Sequence, residues 1–174
     1  LDACAICHSD ITYMDGDWGG ELPAVYGHEA AGIVQGIGED VKGLRCGVPV
    51  VVTLLRSCGD CFFCRQRQES LCETRFPLDE SSPITDQQGI PIGHGLRTGA
   101  FADEVVVHAT QVVEIPPDLP MDSAALLSCG VITGVGAVKN VAAVPAGASV
   151  VTIGMGGVGV NCVQGAALSN AKLN

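Results

Sequence analysis

The sequence predicts a β-rich domain followed by the opening strand and helix of an α/β unit. Three observations predict it. Short runs rich in β-branched residues, separated by Gly and Pro turns, fill the first two thirds of the chain. A proline-dense hinge at Pro116, Pro117 and Pro120 then marks a change to helical length. Last, a compact apolar run at 149–153 leads into a glycine turn and an uncharged segment of helical pattern. A chain of 174 residues has room for one domain, or one and part of another. Its 47% hydrophobic and 16% charged residues supply ample material for a core.

The elements follow in order. Ala31 to Ile37 reads as a strand, turned at Gly36, Gly38, Glu39 and Asp40, with a second strand from Val48 to Leu55. A Cys-dense, Arg-studded loop runs from Ser57 to about Phe76, and the polar, Pro-containing stretch from Pro77 to Gly95 reads as surface loop. Strand character returns at Phe101 to Val107 and Gln111 to Ile115. Met121 to Asn140 has the length of a helix, with Asp122 as its expected N-cap. Ser149 to Ile153 is the next strand and Val160 to Asn170 the last helix. With one Trp, two Tyr and four Phe against 23 Gly, packing rests on Val, Ile, Leu and Ala.

Nine basic against nineteen acidic residues leave a net charge of −10, which repels a phosphate backbone and argues against nucleic acid as a partner. Residues 140–171 carry no charge, yet Asn140, Pro145, Ser149, Thr152, Asn161, Gln164 and several glycines interrupt them, so the stretch is expected to be buried core rather than a membrane span. The opening residues form no secretory signal, and the cysteine usage points to the cytoplasm. Lacking an initiator Met and stopping soon after the glycine turn, the chain is expected to be a fragment, which by itself leaves apolar surface exposed beyond Val131.

Nine cysteines, an odd number without a secretory signal, disfavour a disulfide framework. Cys58, Cys61, Cys64 and Cys72 form C-x2-C-x2-C-x7-C, a spacing at which one loop wraps four thiolates around a tetrahedral zinc. An iron–sulfur cluster fits the first three spacings, but the fourth cysteine comes too soon and no proline follows it; free thiols are the other alternative. A zinc ion with four thiolates carries two negative charges, which Arg56, Arg65, Arg67 and Arg75 are placed to offset.

Two further motifs stand near the start, Cys7-His8-Ser9-Asp10 and Gly27-His28-Glu29-Ala30-Ala31-Gly32, and Ser128-Cys129-Gly130 follows some hundred residues on. After the strand at 149–153 comes Gly154-Met155-Gly156-Gly157-Val158-Gly159, a G-x-G-x-x-G turn in the strand-to-helix context that a dinucleotide pyrophosphate requires. There Gly154 suits a tight turn, Gly156 and Gly157 a close approach to the pyrophosphate, and Gly159 a close helix–strand contact. In order and spacing these motifs resemble the zinc-dependent alcohol dehydrogenases of the medium-chain dehydrogenase/reductase superfamily, over most of the chain.

The resemblance implies a GroES-like catalytic domain over 1–129 and the start of a Rossmann coenzyme domain over 130–174. It implies Cys7, His28 and Cys129 as ligands of a catalytic zinc and Glu29 as the acid beside the metal. Asp10 would be the carboxylate that holds the liganding histidine, and Ser9 the hydroxyl that takes the alcohol's proton. His8 would lie near the cofactor pyrophosphate and Thr133 near the nicotinamide. The chemistry agrees, since two thiolates neutralise Zn2+ and three protein ligands leave a fourth position open. Ser9 and Asp10 also suit helix capping, before a short turn from Ile11 to Met14. Cys4, Cys46 and Cys162 are expected to fill core space.

Two departures stand out. Thr12 occupies the position where many members relay protons through a histidine, and Gly47-Val48-Pro49-Val50 replaces the usual G-D-x-V turn. The function implied is reversible hydride transfer between a small alcohol, or its aldehyde or ketone, and NAD, in a homo-oligomer at full length, with two zinc ions per chain. NADP stays open, because no Asp or Glu lies between Val160 and Asn174 to bind the ribose hydroxyl. The alternatives are glutathione-dependent formaldehyde oxidation and a non-catalytic zinc module held together by the four-cysteine loop.

Overall fold

Residues 1–20 and 22–172 are described in the computed structural model. They form two units, Leu1–Ser128 and Cys129–Asn174. Glu21, and Leu173 and Asn174 of the expected coenzyme segment, lie outside the described residues.

The first unit holds, in chain order, β1 (Ala3–Ala5), α1 (His8–Met14), β2 (Ala24–Val25), β3 (Glu29–Ile33), β4 (Pro49–Val52), α2 (Phe62–Arg65), α3 (Pro77–Glu80), β5 (Gly93–His94), β6 (Val112–Glu114) and α4 (Met121–Ala125). The strands β1, β3, β4 and β6 make an antiparallel sheet in that order, while β2 and β5 pair in parallel. Register is set by β3 against β4, with Ala30 opposite Val52 and Ala31 opposite Val51. Because neighbouring side chains on a strand point to opposite faces, Ala30, Val50 and Val52 pack with Val48 and Ala100 on one side. Ala31 and Val51 pack with Ile115, Ala124 and Ala125 on the other. Both faces are covered, which is why these strands read as continuous apolar runs. Each fully buried valine here contributes about 1.5–3 kcal/mol.

Several elements differ from the sequence expectation. The strand expected over Ala31 to Ile37 ends at Ile33, and that over Val48 to Leu55 runs only Pro49–Val52. Phe101 to Val107 is not a strand: among the described residues no backbone hydrogen bond pairs 104–107 with a neighbour. Its valines carry β propensity, but a ladder also needs an adjacent backbone. The expected helix over Met121 to Asn140 is broken, passing from α4 through a 3-10 turn at Leu126–Ser128 to a non-helical Cys129 (φ −142°, ψ −67°). Asp122 lies in the first turn of α4 rather than capping it; the cap position is Pro120. Cys46 is exposed rather than core, because it sits in the turn before β4.

The second unit contains α5 (Gly130–Gly136), a π-helical turn at Ala137–Val141 and α6 (Gly157–Leu168). α5 and α6 pack against each other, with Val138 and Ala166 buried. Ser149 to Ile153 does not form a strand among the described residues, where its ladder contact is a parallel bridge from Ser149 to Lys172. Val141 and Val151 are 85% exposed and Ile153 96%. The expectation of a buried core over 140–171 is therefore corrected, since among the described residues no second strand covers this segment, while the exposed apolar surface expected beyond Val131 is found. No single helix among the described residues is long and apolar enough to cross a membrane.

Candidate functional site

The first site is built where α1 begins and β3 begins. Cys7 has extended backbone (φ −94°, ψ 153°) and caps α1, its N–H donating to Asp10 Oδ2 at 3.0 Å. This is the reach-back half of a capping box, made by a carboxylate three residues into the helix. Asp10 thus has the capping function and a second one: Oδ1 lies 3.1 Å from His28 Nδ1 and accepts the Gly27 N–H at 3.0 Å. Asp10 is fully buried and His28 is 1% exposed. Burial pushes the Asp10 carboxyl up, but the hydrogen bonds from His28, Cys7 and Gly27 outweigh it and hold the carboxyl below its ordinary value.

A carboxylate at Nδ1 places the imidazole proton on that nitrogen and the lone pair on Nε2, the tautomer a metal-binding histidine needs. The Cys7 sulfur, a His28 ring nitrogen and a Glu29 carboxylate oxygen lie within 4.8 Å of one another. Thiolate and imidazole together suit zinc. Gly27 makes this placement possible. Its φ of +93° is left-handed, and a Cβ there would lie 2.7 Å from the Phe101 backbone nitrogen.

Ser9 is half-buried and His8 exposed, both in the first turn of α1. That helix starts at His8, three residues earlier than the turn read from sequence. The Thr12 hydroxyl donates to the His8 carbonyl at 3.0 Å, one helical turn back.

The second site lies in the same unit. Cys58, Cys61, Cys64 and Cys72 bring their sulfurs within 4.8 Å of one another, the arrangement the spacing predicts. Cys61 caps the short helix α2, which carries Cys64, and the 3-10 turn Glu69–Leu71 delivers Cys72. The Thr74 hydroxyl donates to Cys58 Sγ at 3.0 Å, joined by the N–H groups of Cys61 and Asp60, and these bring the Cys58 thiol down to about 6. Backbone N–H groups of Cys64 and Glu73 lower Cys61 too, whereas burial pushes Cys64 up to about 12. A divalent cation among four sulfurs overrides such a difference, because a coordinating thiol is deprotonated outright.

In the second unit, Cys129 precedes α5, and its sulfur lies 3.9 Å from the Thr133 hydroxyl. The residue before it, Ser128, is buried in the first unit and donates to the Ala30 carbonyl at 3.2 Å. Gly154 has φ +93°, and a Cβ on Gly159 would lie 1.9 Å from the Gly154 carbonyl oxygen, so the turn and the first turn of α6 close tightly on each other. Gly156 caps α6 and Gly157 is its first residue.

Sequence reasoning missed three supports. Gly27 was read only as part of its motif, though its place before His28 in a strand-starting turn is a signal for left-handed backbone. Ser128 and Thr74 gave no signal, because their partners lie far away in sequence or depend on side-chain direction.

A family model described as the alcohol dehydrogenase GroES-like domain matches residues 1–117. Alcohol dehydrogenase 1 of Trifolium repens is 36% identical over 176 residues, covering 97% of this chain and 46% of that protein. Alcohol dehydrogenase-like 7 of Arabidopsis thaliana is 38% identical over 182 residues, covering 97% and 45%. Among solved structures, an alcohol dehydrogenase zinc-binding domain protein from Burkholderia ambifaria is similar with a TM-score of 0.89 at 33% identity, covering 97% of this chain and 48% of that one. Benzyl alcohol dehydrogenase from Acinetobacter calcoaceticus gives 0.86 at 30% identity, covering 99% and 48%. The chain spans about half the length of the relatives it matches.

Proposed function

The chain belongs to the alcohol dehydrogenase GroES-like domain family, and from that premise we propose that it is the substrate-side part of a zinc-dependent, NAD(P)-linked alcohol dehydrogenase. Cys7, His28 and Cys129 are the ligands of the catalytic zinc, and Cys58, Cys61, Cys64 and Cys72 hold a structural one. The observation that carries this reading is Asp10 bonded to His28 beside Cys7 and Glu29. Cys129 is supported by its covalent link to Ser128, which is tied to Ala30, two residues from His28. Zinc bound there supplies Lewis acidity that lowers the pKa of an alcohol hydroxyl.

The protein's side chains do the rest. Asp10 fixes the ring of His28. Ser9 takes up the alcohol's proton, which passes from there to water, since Thr12 stands where many members carry a relaying histidine. Glu29 is the acid that approaches the metal. The Gly154–Gly159 turn and the start of α6 receive the dinucleotide pyrophosphate on backbone N–H groups, with His8 near it and Thr133 beside the nicotinamide. NAD is the cofactor we favour. Nine cysteines without a disulfide among them support a reducing compartment, the cytoplasm. A small alcohol or aldehyde is the substrate, and the full-length enzyme is a homo-oligomer. The relatives support this reading rather than glutathione-dependent formaldehyde oxidation or a non-catalytic zinc module.

Cobalt substitution tests the open position. With Co2+ in both sites, adding trifluoroethanol shifts the ligand-field bands in the parent protein and not in Cys7→Ser, whose remaining site is closed by four sulfurs. Bands indifferent to the alcohol in the parent contradict the proposal.

A further inference from the structure

The neck of the four-cysteine loop is occupied by a buried guanidinium. Arg56, two residues before Cys58, is 4% exposed. Its Nη2 pairs with Asp79 Oδ1, and the group lies 5.0 Å from the centre of the Phe76 ring. Its Nε and Nη1 have no hydrogen-bond partner among the described residues. Arg97 Nε stands 3.8 Å from the same Asp79 oxygen, so two guanidinium groups share one carboxylate and the cluster carries a net charge of +1. The other titratable groups around it, His94 and His108, add no charge: burial first, and the Arg56 charge after it, disfavour their protonation. Arg56 and Asp79 also join the two limbs of the loop, one entering Cys58 and the other leaving Cys72. Ser57 is fixed between them and the first cysteine by donating its N–H to the Thr110 hydroxyl at 3.2 Å.

A buried charge is costly unless something nearby offsets it, and the carboxylate that Arg56 shares with the half-exposed Arg97 leaves its Nε and Nη1 without a partner among the described residues. The four-cysteine loop begins two residues further on, and a divalent ion held by its four thiolates would bring a charge of −2. We propose that Arg56 is a positioning residue for the four-cysteine metal, its buried positive charge favouring the doubly negative loaded form of the loop. The inference rests on the structural-zinc reading above. Removing the charge should speed metal release even when the shape of the neck is kept.

The test uses the chain carrying Cys7→Ser and Cys129→Ser, so that only the four-cysteine set reports. It is loaded with Co2+ and challenged with EDTA while the thiolate-to-cobalt absorption is followed. Arg56→Met, which keeps the stem over Phe76 and loses the charge, should release cobalt about tenfold faster, and Arg56→Lys, which keeps the charge, should stay within about threefold of the parent. Release by Arg56→Met at the parent's rate, or by Arg56→Lys as fast as by Arg56→Met, overturns the proposal. If Arg56→Met does not fold, Arg97→Met, on a side chain 55% exposed, should still speed release about twofold, and an unchanged rate overturns it. Absence of the cobalt–thiolate band in the parent overturns the structural-zinc reading, and the role of Arg56 with it.

Discussion

Asp10 Oδ1 lies 3.1 Å from His28 Nδ1, with both side chains sealed from solvent. The carboxylate also ties down the backbone on either side of the site, at Cys7 and Gly27. One side chain therefore orients one proposed ligand and fixes the segments bearing two of them. Asp10→Asn keeps the shape and loses the charge. It should weaken zinc at the Cys7–His28 site by about 10- to 100-fold, the usual cost of losing such a partner, while leaving the four-cysteine zinc in place. Chelator competition, which resolves a weak and a tight ion, measures both.

Gly27→Ala should destabilise the first unit. A left-handed conformation costs a Cβ-bearing residue about 1–2 kcal/mol, and the clash with Phe101 adds an overpacking cost of about 1–3 kcal/mol. A fall in the urea midpoint is the expected result. Gly43→Ala has the same left-handed strain but no atoms within 4 Å of the new Cβ, so it should cost less; equal losses at both positions would show that the Phe101 contact is unimportant.

Asp79 gives a pH-dependent prediction. Burial raises its carboxyl pKa, but the Phe76 N–H and the Arg56 guanidinium outweigh that and lower it. A carboxyl lowered by folding stabilises the native state while ionised. The contribution is complete above the unfolded value of about 3.9 and is lost as pH falls through the lower folded value. In metal-free, reduced protein, Asp79→Asn should therefore show a lower urea midpoint than the parent at pH 7, with the gap closing below pH 4. A gap of constant size would contradict the assignment.

Ser9→Ala should act on turnover rather than on folding or metal content. Measured in the polypeptide that carries the complete coenzyme domain, kcat should fall about 100-fold, the lower end of what a positioned proton acceptor contributes. Zinc content and the melting temperature should stay near the parent's.

Much of the site was legible because its chemistry is written in residue type and short spacing. The four cysteines fall within fifteen residues, and their convergence needs only local turns. The glycine turn is local as well. The alternation that buries Ala30 and Ala31 on opposite faces explains why β3 was found, though its end was not, since ladder length depends on partners in β1 and β4. Phe101 to Val107 shows the same limit from the other side, with strand propensity but, among the described residues, no backbone hydrogen bond at 104–107. Arg56 was read as one of several loop arginines. Its burial follows from Asp79 and Phe76, some twenty residues on, a contact that neither charge pattern nor spacing encodes.

Zinc content per chain tests the central claim most directly, measured by elemental analysis after gel filtration. The account predicts two ions in the parent, one in His28→Ala, one in Cys64→Ser and none in the double variant. Two ions retained by folded His28→Ala, or a single ion in the parent that only Cys64→Ser removes, would contradict it.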